Sequence, residues 1–181
     1  MKCEGNNVER YFLIGAVACA LAGAICDVRG ARIPNWLTYG SLVAGLAARS
    51  FWGWAGVKGG LIGLLAGGGI FFLLYLLGGM GGGDVKLMAA VGTWAGGAQT
   101  VVVLIASAIV GGVLAVGYMI FYARVRMTLL NVLELVRHHV ASGIQPHPIL
   151  NIREAGALRI PYGLAVAMGT LYCLGSTFLG R

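Results

Sequence analysis

Apolar residues in this chain run in long blocks broken by short polar punctuation, without the one-sided stripe of a surface helix. Six blocks stand out, at 11–26, 36–52, 57–77, 85–98, 100–122 and 162–179. A helix rises 1.5 Å per residue and needs roughly 20 residues to cross the hydrocarbon, so the blocks predict an all-α polytopic fold with about six transmembrane helices. The fourth block is short and would reach only about 21 Å. Either the bilayer thins there, or one end lies below the lipid surface among neighbouring helices. The longest polar stretch, 123–160, carries Val125, Leu129, Val132, Leu133, Val136 and Val140 at helical spacing, with Arg126, Glu134, Arg137 and His138 mostly on other faces. That pattern predicts a helix lying along the cytoplasmic interface. The whole chain, 1–181, reads as one integral-membrane domain.

Composition agrees with the pattern. The chain is 59% hydrophobic and 10% charged, where soluble domains carry about 25% charge. The net charge of +7 does not point to nucleic acid, because the basic residues are scattered over short loops without stacking aromatics. They report orientation instead. Alternating spans put Arg29, Arg32, Lys86, Arg124, Arg126, Arg137, Arg153 and Arg159 on one side, and Lys2, Arg10, Arg49, Lys58 and Arg181 on the other. The positive-inside bias then places both termini outside the cytoplasm of a multi-pass inner-membrane protein. The segment "ALAGA" resembles a signal-peptide cleavage site, but the first ten residues mix two basic and two acidic groups, so the first block is read as a span.

Cys3, Cys19, Cys26 and Cys173 form no CxxC pair, and His138, His139 and His147 lack the spacing of a metal site with acidic partners. No metal and no cofactor is expected. Glycine is abundant, and Gly59, Gly63 and Gly67 recur every fourth residue, a face suited to close helix packing. "GGMGGGDVK" lacks the spacing and the Ser/Thr of a phosphate loop.

Only two carboxylates adjoin apolar spans, Asp27 and Asp84. Ionisable groups at membrane depth are costly and mark function by default; for Asp84, helix capping is the competing role. Two complete spans separate the pair, so both lie on one membrane face at similar depth. Two approachable aspartates suggest shared-proton chemistry, one activating water and the other polarising a carbonyl. Asp27 ends a helix and Asp84 begins one, so the helix dipoles put the proton on Asp27 and the charge on Asp84, with Lys86 reinforcing that charge. Gly81, Gly82 and Gly83 would let an extended peptide approach and would supply backbone angles other residues avoid.

These residues resemble a known family. "GGGDVKL" is similar to the GxGD signature of type IV prepilin peptidases. "DVRGARIPNWLT" resembles that family's first-aspartate segment, and "RIPYGLAVAMG" its last-span motif. Presenilin-type proteases share GxGD but are larger and lack the I-P-N-x-L-T segment. The resemblance implies a membrane-embedded aspartic endopeptidase that removes the leader peptide from prepilin or pseudopilin substrates at the cytoplasmic face, working beside pilus or secretion assembly machinery. Carried over by position, Asp27 and Asp84 are the catalytic pair, Gly81 and Gly83 the signature glycines, and Pro34 and Asn35 shape the turn into the second span. Long members carry a cysteine-rich loop after the first span. The chain from Asp27 to Trp36 has no room for it, so it resembles the short form of Tad/Flp-type pili, and N-methylation is not carried over. Two other functions stay open: a small ion- or proton-coupled transporter, and a non-catalytic assembly subunit.

Overall fold

In the computed structural model the described residues are 2–30, 32–121 and 161–179, with 130, 131, 133, 134 and 137 between them; side chains are described from residue 8 onward. Six helices account for almost all of them: α1 (Lys2–Gly30), α2 (Asn35–Ser50), α3 (Gly53–Leu76), α4 (Gly82–Ala95), α5 (Gly97–Phe121) and α6 (Tyr162–Leu179). Among the described residues there is no strand, and the fold is that of an all-α polytopic membrane protein. The interfacial helix expected within 123–160 and the histidines at 138, 139 and 147 lie outside the described residues, apart from five helical positions between 130 and 137.

Four stretches are long and apolar enough to cross a bilayer: Val8–Gly30, Gly53–Leu76, Gly97–Phe121 and Tyr162–Leu179. Their outward faces are aliphatic, as at Leu65, Ile109 and Val113, as a surface facing lipid requires. The other two helices are shorter, with 16 residues in α2 and 14 in α4. The shortness of α4 has a clear reason: it is the centre of the bundle, packed against all five other helices. Leu87, Met88, Ala90, Val91, Gly92, Thr93 and Ala95 are buried along it. It is recessed among its neighbours.

Helices inside a bilayer gain little from hydrophobic transfer, so close backbone packing has to hold them together. The tightest seam joins α3 to α4. A Cβ added at Gly63 would strike the Gly92 carbonyl, and one added at Gly92 would strike the Gly63 carbonyl. One turn on, a Cβ at Gly67 would come within 2.9 Å of the Met88 carbonyl. The packing face therefore runs through Gly60, Gly63 and Gly67. Gly59, expected on it, instead faces the Arg49 guanidinium.

Polar contacts fix the far end of the bundle. Arg49 is buried; its Nε donates to the Thr93 carbonyl (2.9 Å) and its Nη2 to the Trp94 carbonyl (2.8 Å). It thus closes the C-terminus of α4, where a cation is favoured by the helix dipole, and stacks 4.4 Å over the Phe12 ring. Gly96, at φ +82°, ends that helix against the same guanidinium. Arg10 closes α6 similarly, through Nη2 to the Thr177 carbonyl at 2.8 Å. The N-termini of these two arginine-capped helices lead to the acidic residues.

Candidate active site

Asp27 stands in the last turn of α1 and Asp84 in the first turn of α4. The two side chains line one cavity of about 1090 Å³, whose wall also includes Arg29, Arg32, Tyr75 and Pro161. They are near enough for the charge of Asp27 to be felt at Asp84. The parity of the spans is thus matched in space, since two crossings return the chain to the face it left.

Local sequence explains how Asp84 is held. Gly81 is the N-cap of α4 in an extended conformation (φ −78°, ψ 145°), so Asp84 is the third helical residue. From there its carboxylate turns back towards Gly81, the direction taken by the third residue in the box that satisfies a helix start. Asp84 is therefore not the cap itself. A side chain at Gly81 would press on Asp84 Oδ2 at 3.0 Å, which gives the glycine three residues before the aspartate its reason. Asp84 Oδ1 is buried without a hydrogen-bond partner.

The glycines differ from expectation in one respect. Positive φ occurs at Gly53, Gly78 and Gly96, and not at residues 81–83. Gly78 makes the turn out of α3, while Gly82 and Gly83 are already helical. A Cβ at Gly83 would meet Ile33, in the linker between α1 and α2, at an ordinary contact distance of 3.4 Å, so packing does not demand glycine there.

Asp27 is held from a distance. Its Oδ2 accepts the backbone N–H of Gly163 at 2.9 Å, in the first turn of α6, where N–H groups lack intrahelical partners. Helix-end polarity within α1 alone disfavours an anion at Asp27, and the N-terminus of α6 opposes that effect. Nothing in the neighbouring sequence signals this contact.

The supporting residues sort differently. Pro34 caps α2, its carbonyl accepting the N–H groups of Leu37 (3.2 Å) and Thr38 (3.4 Å), so it makes the expected turn. Asn35 begins α2, and its Oδ1 accepts Lys86 Nζ at 2.9 Å. Lys86 also lies 5.4 Å from the Tyr39 ring centre. It ties α4 to α2 and is not among the residues that line the cavity. Tyr162 is a residue that sequence reasoning passed over: its ring packs edge-on to Phe71 at 5.6 Å, and its hydroxyl donates to the Ser107 carbonyl at 3.3 Å.

Comparison with known proteins follows this geometry. Residues 14–116, which include both aspartates, match the profile of the type IV leader peptidase family. The chain belongs to that family. Two curated relatives carrying the name prepilin leader peptidase/N-methyltransferase, from Aeromonas salmonicida strain A449 and from Aeromonas salmonicida, are each 35% identical over 98 residues, covering 50% of this chain. The matched region spans only 34% of each relative's length. No solved structure matches significantly. The family match ends before α6, the helix whose first turn holds Asp27.

Proposed function

We propose that this chain is an aspartic endopeptidase that removes leader peptides from prepilin-like precursors at the cytoplasmic face of the inner membrane, with Asp27 and Asp84 as its catalytic pair. One observation carries the reading: Asp27 and Asp84, each at the end of an apolar helix, line one cavity. Membership of the leader peptidase family supports it, as does the name of the two relatives. The cavity volume lies just above the about 300–1,000 Å³ range of ligand pockets, enough for a short extended peptide. Arg29 and Arg32 at its wall agree with a cytoplasmic opening under the positive-inside bias.

In this reading the two carboxylates share a proton. Asp27 accepts the Gly163 N–H and is the better-solvated anion; it draws the proton from the attacking water. Asp84, with one buried oxygen unpartnered, holds the shared proton and donates a hydrogen bond to the scissile carbonyl. As the tetrahedral intermediate collapses, the proton taken by Asp27 passes to the leaving amine. This order reverses the one expected from helix ends within α1 and α4 alone. Infrared spectra test it: a protonated-carboxyl band present in the wild-type protein disappears in Asp84→Asn and persists in Asp27→Asn. The opposite pattern contradicts it.

Co-expression with candidate prepilins of the same organism, followed by mass spectrometry of their N-termini, tests the function. Shortened precursors with the wild-type chain, and full-length precursors with either Asn variant, are expected. Full-length precursors throughout, together with ion flux that Asp84→Asn alters, would favour the transporter instead.

A further inference from the structure

Given the peptidase reading above, we infer that the first turn of α6 is a positioning device for Asp27, and that Gly163 is its essential residue. Two properties of Gly163 are used at once. Its backbone N–H donates to Asp27 Oδ2 at 2.9 Å. Its missing side chain leaves the space the carboxylate occupies, because an added Cβ would lie 3.0 Å from Asp27 Oδ2, 3.1 Å from Asp27 Cβ and 3.3 Å from Ala24 Cα. The last of these is backbone and cannot swing aside, so the strain of any side chain falls on Asp27.

The turn that presents this N–H is itself fixed on three sides. Tyr162 inserts its ring against Gly111 of α5, where a Cβ would approach the ring to 2.6 Å. Its hydroxyl reaches the Ser107 carbonyl, and its ring packs on Phe71 of α3. Pro161 opens the helix, its carbonyl accepting the Leu164 N–H at 3.2 Å, a place where a fixed φ costs nothing. At the other end Arg10 closes the same helix. The N–H of Gly163 therefore points at Asp27 from a helix that cannot slide. Asp84 stands in the first turn of its own helix, α4. The dyad thus lies between two helix N-termini, those of α4 and α6.

Gly163 does not touch substrate, so its role shows in the split between kcat and KM. Gly163→Ala is expected to lower kcat at least tenfold with KM changed less than twofold. Gly175→Ala, on the same helix with open space around it, is expected to leave both unchanged. A wild-type kcat in Gly163→Ala, or a loss confined to KM, would overturn the inference. A second measurement does not depend on that variant folding. The Gly163 amide has no intrahelical acceptor, so in the wild-type protein its hydrogen exchange should be slowed by Asp27, and Asp27→Ala should speed it at least tenfold while the middle of α6 is unaffected. Equal exchange in both proteins would overturn it. Processing that survives Asp27→Asn would sink the peptidase reading itself, whereas loss of processing there beside normal kinetics in Gly163→Ala would sink only this inference.

Discussion

At the scale of single residues, position in the bundle decides what each charge does. Lys86 is two residues from Asp84 in sequence, yet its ammonium is engaged by Asn35 and the Tyr39 ring. Lys86→Met is therefore expected to change the cleavage rate less than about fivefold, a solvent-facing polar contact being worth about 1 kcal/mol; a hundredfold loss in a single-turnover assay would restore the direct role. Arg49 is the opposite case, a cation far from the acidic pair but holding two backbone carbonyls. Arg49→Met leaves both unsatisfied and is expected to cost about 2–4 kcal/mol of stability. Lysine should restore little of it, since one ammonium replaces a two-pronged donor. Thermal unfolding in detergent measures both variants, and an unchanged melting temperature in Arg49→Met would contradict the capping role. The common face of Asp27 and Asp84 was legible in sequence because it needs only a count of crossings. The grip of Gly163 on Asp27 was not, because a backbone donor 136 residues away leaves no trace in side-chain chemistry.

At the scale of helices, backbone contact between α3 and α4 carries the fold. Gly63→Leu drives a side chain into the Gly92 carbonyl and is expected to lower stability by about 3 kcal/mol or more, or to prevent accumulation. Gly69→Ala, with nothing within 4 Å of its Cβ, should leave stability unchanged or raise it by about 0.5–1 kcal/mol. Equal melting temperatures for the two would contradict the packing account. Among the described residues, the blocks of hydropathy match the six helices of the bundle, because lipid-facing and buried positions are both apolar. For the same reason they did not separate a helix that faces lipid from one that is recessed. The glycine period showed a packing face but misplaced one member, since Gly59 and Gly60 are adjacent and only the partner helix distinguishes them.

At the scale of the molecule, the bundle is polarised. Two helix N-termini meet the carboxylates at one end, and two arginines close the same helices at the other. Cys26 is half-buried at the cavity wall, whereas Cys19 and Cys173 are buried in the core. With Cys3 replaced by serine, a membrane-impermeant maleimide is expected to label Cys26 in inside-out vesicles and not in right-side-out ones. Labelling only from the outer face would reverse the proposed orientation. The cleavage chemistry itself is tested most directly with purified protein and a full-length precursor in single-turnover reactions. Asp27→Asn and Asp84→Asn should each cleave at less than about one-thousandth of the wild-type rate, within the range expected for loss of a general acid or base, with melting temperatures near wild type. A well-folded variant of either kind that keeps more than about a tenth of that rate would contradict the account.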